Sequence, residues 1–223
     1  SASVSWARDV YKRQLYDTAP TRLSEQFHFL KKPEPWLIFA ATMFGNAGVF
    51  AWFSYVKPFM VSVSGFSQNA MTLIMMLMGL GMVLGNMFSG RVSARFSPIR
   101  IAAATELVIM LAMVALFFLG DSKAGALSLG FICCAGLFAL SAPLQIMLLQ
   151  NAKGGEMLGA AGGQMAFNFG NAVGAWFGGL IIAFGFSYNY LALPAAVLTF
   201  AALTSLLIYN RRITRHQTEV VTV

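Results

Sequence analysis

The sequence has 223 residues, 58% of them hydrophobic and only 10% charged, with a net charge of +7. Soluble domains carry about 25% charged residues, so a water-exposed globular domain is excluded. The cations are divided among short segments between apolar runs, which excludes the single basic stripe of a nucleic-acid binder and leaves anionic lipid headgroups as their natural partner.

Residues 1–14, SASVSWARDVYKRQ, show no apolar periodicity and resemble a translated cloning adaptor, so they stand outside the fold. The first methionine is Met43, inside the first apolar run, and the sequence reads as a piece of something longer. Residues 15–35 read as a linker with a short amphipathic helix. Thr21 or Ser24 caps it, Phe27 and Leu30 face the membrane surface, and Lys31-Lys32-Pro33-Glu34-Pro35 ends it. His28 there, and His216 in the tail, read as ordinary interfacial histidines.

Six apolar runs follow, at residues 36–56, 70–89, 101–119, 126–149, 157–184 and 191–209, and residues 210–223 form a tail. Each run approaches the roughly 20 residues that cross a hydrocarbon core. None alternates apolar and polar as a barrel strand does. The predicted fold is therefore an all-α polytopic membrane protein with six transmembrane helices over residues 36–209.

The first run places Asn46, Phe50, Phe53 and Lys57 on one helix face. An asparagine among aromatics suits a largely apolar pocket with a few orienting polar groups; interhelical hydrogen bonding by Asn46 and snorkelling by Lys57 are the alternatives. In the second run GLGMVLG, residues 79–85, lies mid-span without a preceding strand and reads as helix packing, not as a dinucleotide loop. Glu106 is the one acid well inside a span, which makes it a functional candidate by default. It follows Arg100 by six residues, and an ion pair with Arg95 or Arg100 is the preferred reading over a proton relay. Span four carries adjacent Cys133 and Cys134, read as small apolar residues, then Ser141, Pro143 and Gln145. Pro143 kinks the helix and marks a gating element; Ser141 and Gln145 face either a cavity or a neighbouring helix.

The fifth run is rich in glycine although it is a helix. Gly155, Gly159, Gly163, Gly170, Gly174 and Gly178 fall within a face about 140° wide, a small-residue surface for close helix approach in lipid. Gln164, Asn168 and Asn171 lie on a neighbouring, polar face for water or solute.

Lysine and arginine concentrate on the cytoplasmic side of membrane proteins. Ten of them, Arg22, Lys31, Lys32, Arg91, Arg95, Arg100, Lys153, Arg211, Arg212 and Arg215, lie on one side of the six runs, against Lys57 and Lys123 on the other. Both ends are thus expected in the cytoplasm. No zinc, nucleophile-elbow or P-loop signature is present, and no Cys or His cluster has metal-ligand spacing. Neither an enzyme, a metal site nor an organic cofactor is expected.

The loop GRVSARFSPIR resembles a degenerate copy of the loop signature of the major facilitator superfamily: Gly90 and Arg95 fit, with Arg91 and Arg100 as further cations. Ala94 and Ser97 stand where an aspartate and a second glycine belong. The segments PWLIFAATMFGNAGVFAWFSYVKP, FICCAGLFALSAPLQIMLLQNAKGG and LGAAGGQMAFNFGNAVGA are similar to the C-terminal half of the sugar and drug efflux branch of that superfamily. The resemblance implies helices seven to twelve of a twelve-helix transporter in a bacterial inner membrane. It implies a missing N-terminal six-helix half as partner, a small-molecule substrate such as a sugar or amphipathic drug, and export by alternating access driven by a proton gradient. It puts Asn46 and Phe50 on the central cavity, places the third span on the outside of the bundle, and turns the glycine face of the fifth span toward the missing half. A six-helix assembly or receptor-like subunit that carries no solute is the competing reading.

Overall fold

The computed structural model describes residues 27–221. The predictions for residues 1–26, including the caps at Thr21 and Ser24, and for the side chain of His216 fall outside the described residues. The described chain is helical, with six helical stretches long and apolar enough to cross a membrane. In chain order the helices are α1 (Pro33–Phe53), α2 (Val56–Ser62), α3 (Met71–Ser93), α4 (Pro98–Leu119), α5 (Lys123–Ala139), α6 (Ser141–Asn151), α7 (Glu156–Ala183) and α8 (Ala192–Val221). Helices α5 and α6 share the fourth span, broken at Leu140.

The prolines act where their chemistry allows. Pro33 opens α1 at its first turn, where a missing N–H costs nothing, so the Lys31–Pro35 run begins the span as well as ending the short 3-10 turn His28–Lys31. Pro143 lies in the first turn of α6, just beyond the break at Leu140. Two predicted boundaries move: α3 continues through Gly90 to Ser93, so Gly90 sits in the last turn and not at the helix exit, and α8 runs on beyond residue 209 as continuous helix through Arg211, Arg212 and Arg215.

Packing follows a repeat of three spans. Helix α1, first of its unit, packs on α7 and α8, the second and third spans of the other unit; α5, first of that unit, packs on α3 and α4. An odd number of spans per unit gives the two units opposite topology, the inverted arrangement found in many transporter folds. The contacts match residue by residue. On α7, Gly170, Gly174 and Gly178 lie over the carbonyls of Met43, Ala47 and Ala51 on α1. On α3, Gly81 and Gly85 lie over those of Phe131 and Ala135 on α5, and Ser89 donates its hydroxyl to that of Ala139. Both seams step by four residues on each helix, the spacing that brings two backbones together through van der Waals contact.

The α7 seam corrects one expectation. The glycine face is already filled within the same chain, by α1 at Gly170, Gly174 and Gly178 and by the end of α6 at Gly159 and Gly163, all five buried, and is not free for a missing half. Gly155, at the head of the stripe, instead caps the helix, and its carbonyl accepts from Gly159 N–H at 2.8 Å. The opposite face, with Met165 and Phe169, is the exposed one.

Candidate functional site

A cavity of about 70 Å³ opens between the two units, where α1 and α7 face the break between α5 and α6. Its polar lining is Thr42 and Asn46 from α1, Ser141 and Gln145 from α6, and Gln164 from α7; Leu140, Leu144 and Phe167 contribute apolar wall. The structure thus brings together four predicted residues: Asn46, Ser141, Gln145 and Gln164. Each polar group is placed by its helix. The Asn46 Nδ2 donates to the Thr42 carbonyl one turn back at 2.6 Å, and the Thr42 hydroxyl donates to Ile38 O at 2.8 Å. That leaves the Asn46 Oδ1 buried with no hydrogen-bond partner, an acceptor available to a donor group. Gly163 is what admits Gln145: a methyl there would sit 3.3 Å from the Gln145 Oε1 and 2.7 Å from Leu148 Cδ1.

The other predicted residues lie elsewhere. Phe50 and Phe53 pack edge-to-face with each other, 5.7 Å between ring centres, outside this lining. Asn168 is exposed and Asn171 half-buried, and neither lines the cavity. Thr42 and Phe167 were not predicted. Thr42 stands one turn before Asn46 on the same face, a spacing that marks it once Asn46 is accepted.

Glu106 does not form the expected ion pair. It is fully buried, and neither carboxyl oxygen has a hydrogen-bond partner, while Arg95 and Arg100 are both exposed. The reason is helical phase: six residues turn the helix by about 240°, which puts Arg100 and Glu106 on different faces. Glu106 belongs to the buried stripe Ala102, Ile109, Met113 and Leu116 of α4. Its carboxyl lies directly against Gly45 of α1, where a β-carbon would overlap Oε1. Gly45→Ala is therefore expected to lower stability by about 1–3 kcal/mol, and Glu106→Ala in the same chain to recover most of that loss in thermal denaturation. Failure of the second change to rescue the first would mean the two side chains do not share one space.

No group of three His, Cys, Asp or Glu side chains converges among the described residues. Cys133 and Cys134 are free and buried in α5.

A cavity this small holds water but not a sugar or a drug, since small-molecule pockets run to about 300–1,000 Å³. Two inverted three-span units with polar groups gathered between them define a polytopic helical membrane protein of the inverted-repeat type. A family model described as Major Facilitator Superfamily matches residues 5–164, and the chain belongs to that superfamily. It is 70% identical over 195 residues to the Escherichia coli K12 protein named "Putative transporter AraJ", covering 87% of this chain and 50% of that one. A Bacillus subtilis "Uncharacterized MFS-type transporter YfhI" is 29% identical over 181 residues, 79% of this chain and 44% of the relative. A Helicobacter pylori "Probable sugar efflux transporter" is 30% identical over 153 residues, 69% and 39%. The chain spans about half the length of these relatives.

Proposed function

We propose that this chain forms one half of a secondary transporter that exports a small solute by alternating access, and that the α1–α6–α7 cavity is its share of the solute site. The observation carrying the proposal is the cavity itself: five uncharged polar side chains, one with an orphaned buried acceptor, converge in an apolar bundle. Uncharged donors and acceptors suit a hydroxyl-rich or amphipathic solute, and the name of the Helicobacter relative favours a sugar. The second six-helix half would supply the remaining walls, and a proton gradient the driving force. The excess of cations on one side of the spans supports both ends in the cytoplasm, and relatives named as inner membrane transport proteins support that membrane in bacteria.

The test joins residues 27–223 to the N-terminal half of the Escherichia coli relative. Cells carrying the chimera are loaded with labelled sugars or with amphipathic dyes, and export is followed. Asn46→Ala with Gln145→Ala is expected to lower export by roughly tenfold, about one hydrogen bond's worth, at unchanged protein level in the membrane. Export equal to the parent's would remove the cavity from the solute path.

A further inference from the structure

A second cleft lies away from the solute cavity. Helices α3 and α4 both pack on α5 and touch each other little, which leaves a groove of about 440 Å³ between them. Leu84 and Phe88 form one wall, Ala104 and Val108 the other, and the small residues Ala135 and Gly136 the floor. The floor follows α5 from Phe131 to Ala139, about 12 Å of depth along a membrane-spanning helix.

The end of this groove is strongly cationic. Leu84, Phe88 and Arg91 stand at i, i+4 and i+7 on α3, and Arg100, Ala104 and Val108 at i, i+4 and i+8 on α4. The face lining each wall therefore carries an arginine one turn beyond the groove. Arg95 sits in the turn that joins the two helices. The connecting segment, residues 90–100, holds these three arginines and no acid, and all three are exposed. The Arg91 Nη1 reaches the Met87 carbonyl at 3.4 Å, and none of the three has an ion-pair partner among the described residues. An apolar slot of acyl-chain depth thus opens beneath three uncompensated cations at the level of the headgroups.

We propose that this groove binds one anionic glycerophospholipid from the leaflet on the α3–α4 loop side. An acyl chain lies between Phe88 and Val108, and the phosphate is held by Arg91, Arg95 and Arg100. A zwitterionic lipid fits the slot but leaves the three cations unneutralised, so the site discriminates by headgroup while the slot fixes position. The inference does not rest on the transport reading, and a failed export assay leaves it standing.

The purified chain is mixed in mild detergent with equimolar dioleoyl phosphatidylglycerol and dioleoyl phosphatidylcholine, and retained lipid is counted by native mass spectrometry. One phosphatidylglycerol is expected to persist at least about tenfold more often than phosphatidylcholine. The double change Arg91→Gln, Arg100→Gln is expected to cut its retention by roughly thirtyfold, from the attraction of about one basic side chain each near a membrane surface. Both residues are exposed, so helical content by circular dichroism should not change. Ala104→Phe fills the groove, leaves the arginines in place, and is expected to reduce retention of both lipids. Glycerol 3-phosphate, the headgroup chemistry without a chain, should not displace the lipid. Equal retention of the two lipids would overturn the proposal, as would wild-type phosphatidylglycerol retention in a folded Ala104→Phe chain or displacement by glycerol 3-phosphate.

Discussion

Gly174→Val is expected to unfasten α7 from α1 and to produce the largest loss of stability of any single change along that seam. A β-carbon at Gly174 would overlap the Ala47 carbonyl oxygen and come within 2.9 Å of the Ala47 backbone carbons. Backbone cannot swing aside as a flexible side chain does, so the helices must separate. Overpacking of this kind costs about 1–3 kcal/mol and more when nothing can yield; a branched side chain on a backbone contact belongs at or above the upper end. Separation also breaks the flanking contacts of Gly170 with Met43 and of Gly178 with Ala51, and it pulls Gln164 away from Asn46 across the cavity. Gly79→Ala is the control, because no atom lies within 4 Å of the position its β-carbon would take. That change should leave the bundle unharmed or stabilise it by about 1 kcal/mol through helix propensity. Thermal denaturation in detergent reads both variants, and equal melting temperatures would show that the α1–α7 seam contributes no more than an open helix face.

The same glycines show what a sequence does and does not disclose in lipid. That α7 needed a smooth face was legible, since a helix this glycine-rich is explicable only by close packing. Its partner was not, because small-residue faces carry no identity of their own: Ala47 and Ala51 of α1 match the stripe as well as an absent half would. The GLGMVLG run was legible as packing for the same reason, and α5 proved to be the helix it packs on. Six spans could be read because the solvent selects long apolar runs. Asn46, Ser141, Gln145 and Gln164 could be read because polar groups in such runs are costly without a use. Asn168 and Asn171 share the Gln164 face at i+4 and i+7 and lie farther along α7 than the cavity lining, so position along the helix axis separates them from it. Phase is where the reading of Glu106 failed: it was assigned by its distance along the chain from Arg100 when the helical turn between them decides the matter. The stripe Ala102, Glu106, Ile109, Met113, Leu116, at steps of four and three, held that information.

Ser89→Ala should loosen the break in the fourth span and do so through a single hydrogen bond. In a continuous helix the Ala139 carbonyl would accept from the N–H of residue 143, four positions on. Residue 143 is proline and has no N–H, so that buried carbonyl lacks its intrahelical donor. The Ser89 hydroxyl, brought in from α3 behind Gly85, donates to it instead. Ser89 is fully buried, so no water stands ready to replace it. Its loss is expected to cost about 1–3 kcal/mol, the range for a buried polar group left unsatisfied. The decisive comparison is a double-mutant cycle. Pro143→Ala restores an N–H to residue 143 and gives the carbonyl a donor within its own helix, so Ser89→Ala should cost at least about 1 kcal/mol less in that background than in the parent. Additive losses would show that Ser89 acts only through packing. Coupling would show that α3 holds the proline break from one side while Ser141 and Gln145 of α6 face the α1–α6–α7 cavity on the other. The angle between α5 and α6, and with it the placing of those two side chains, then depends on a hydroxyl in a different span.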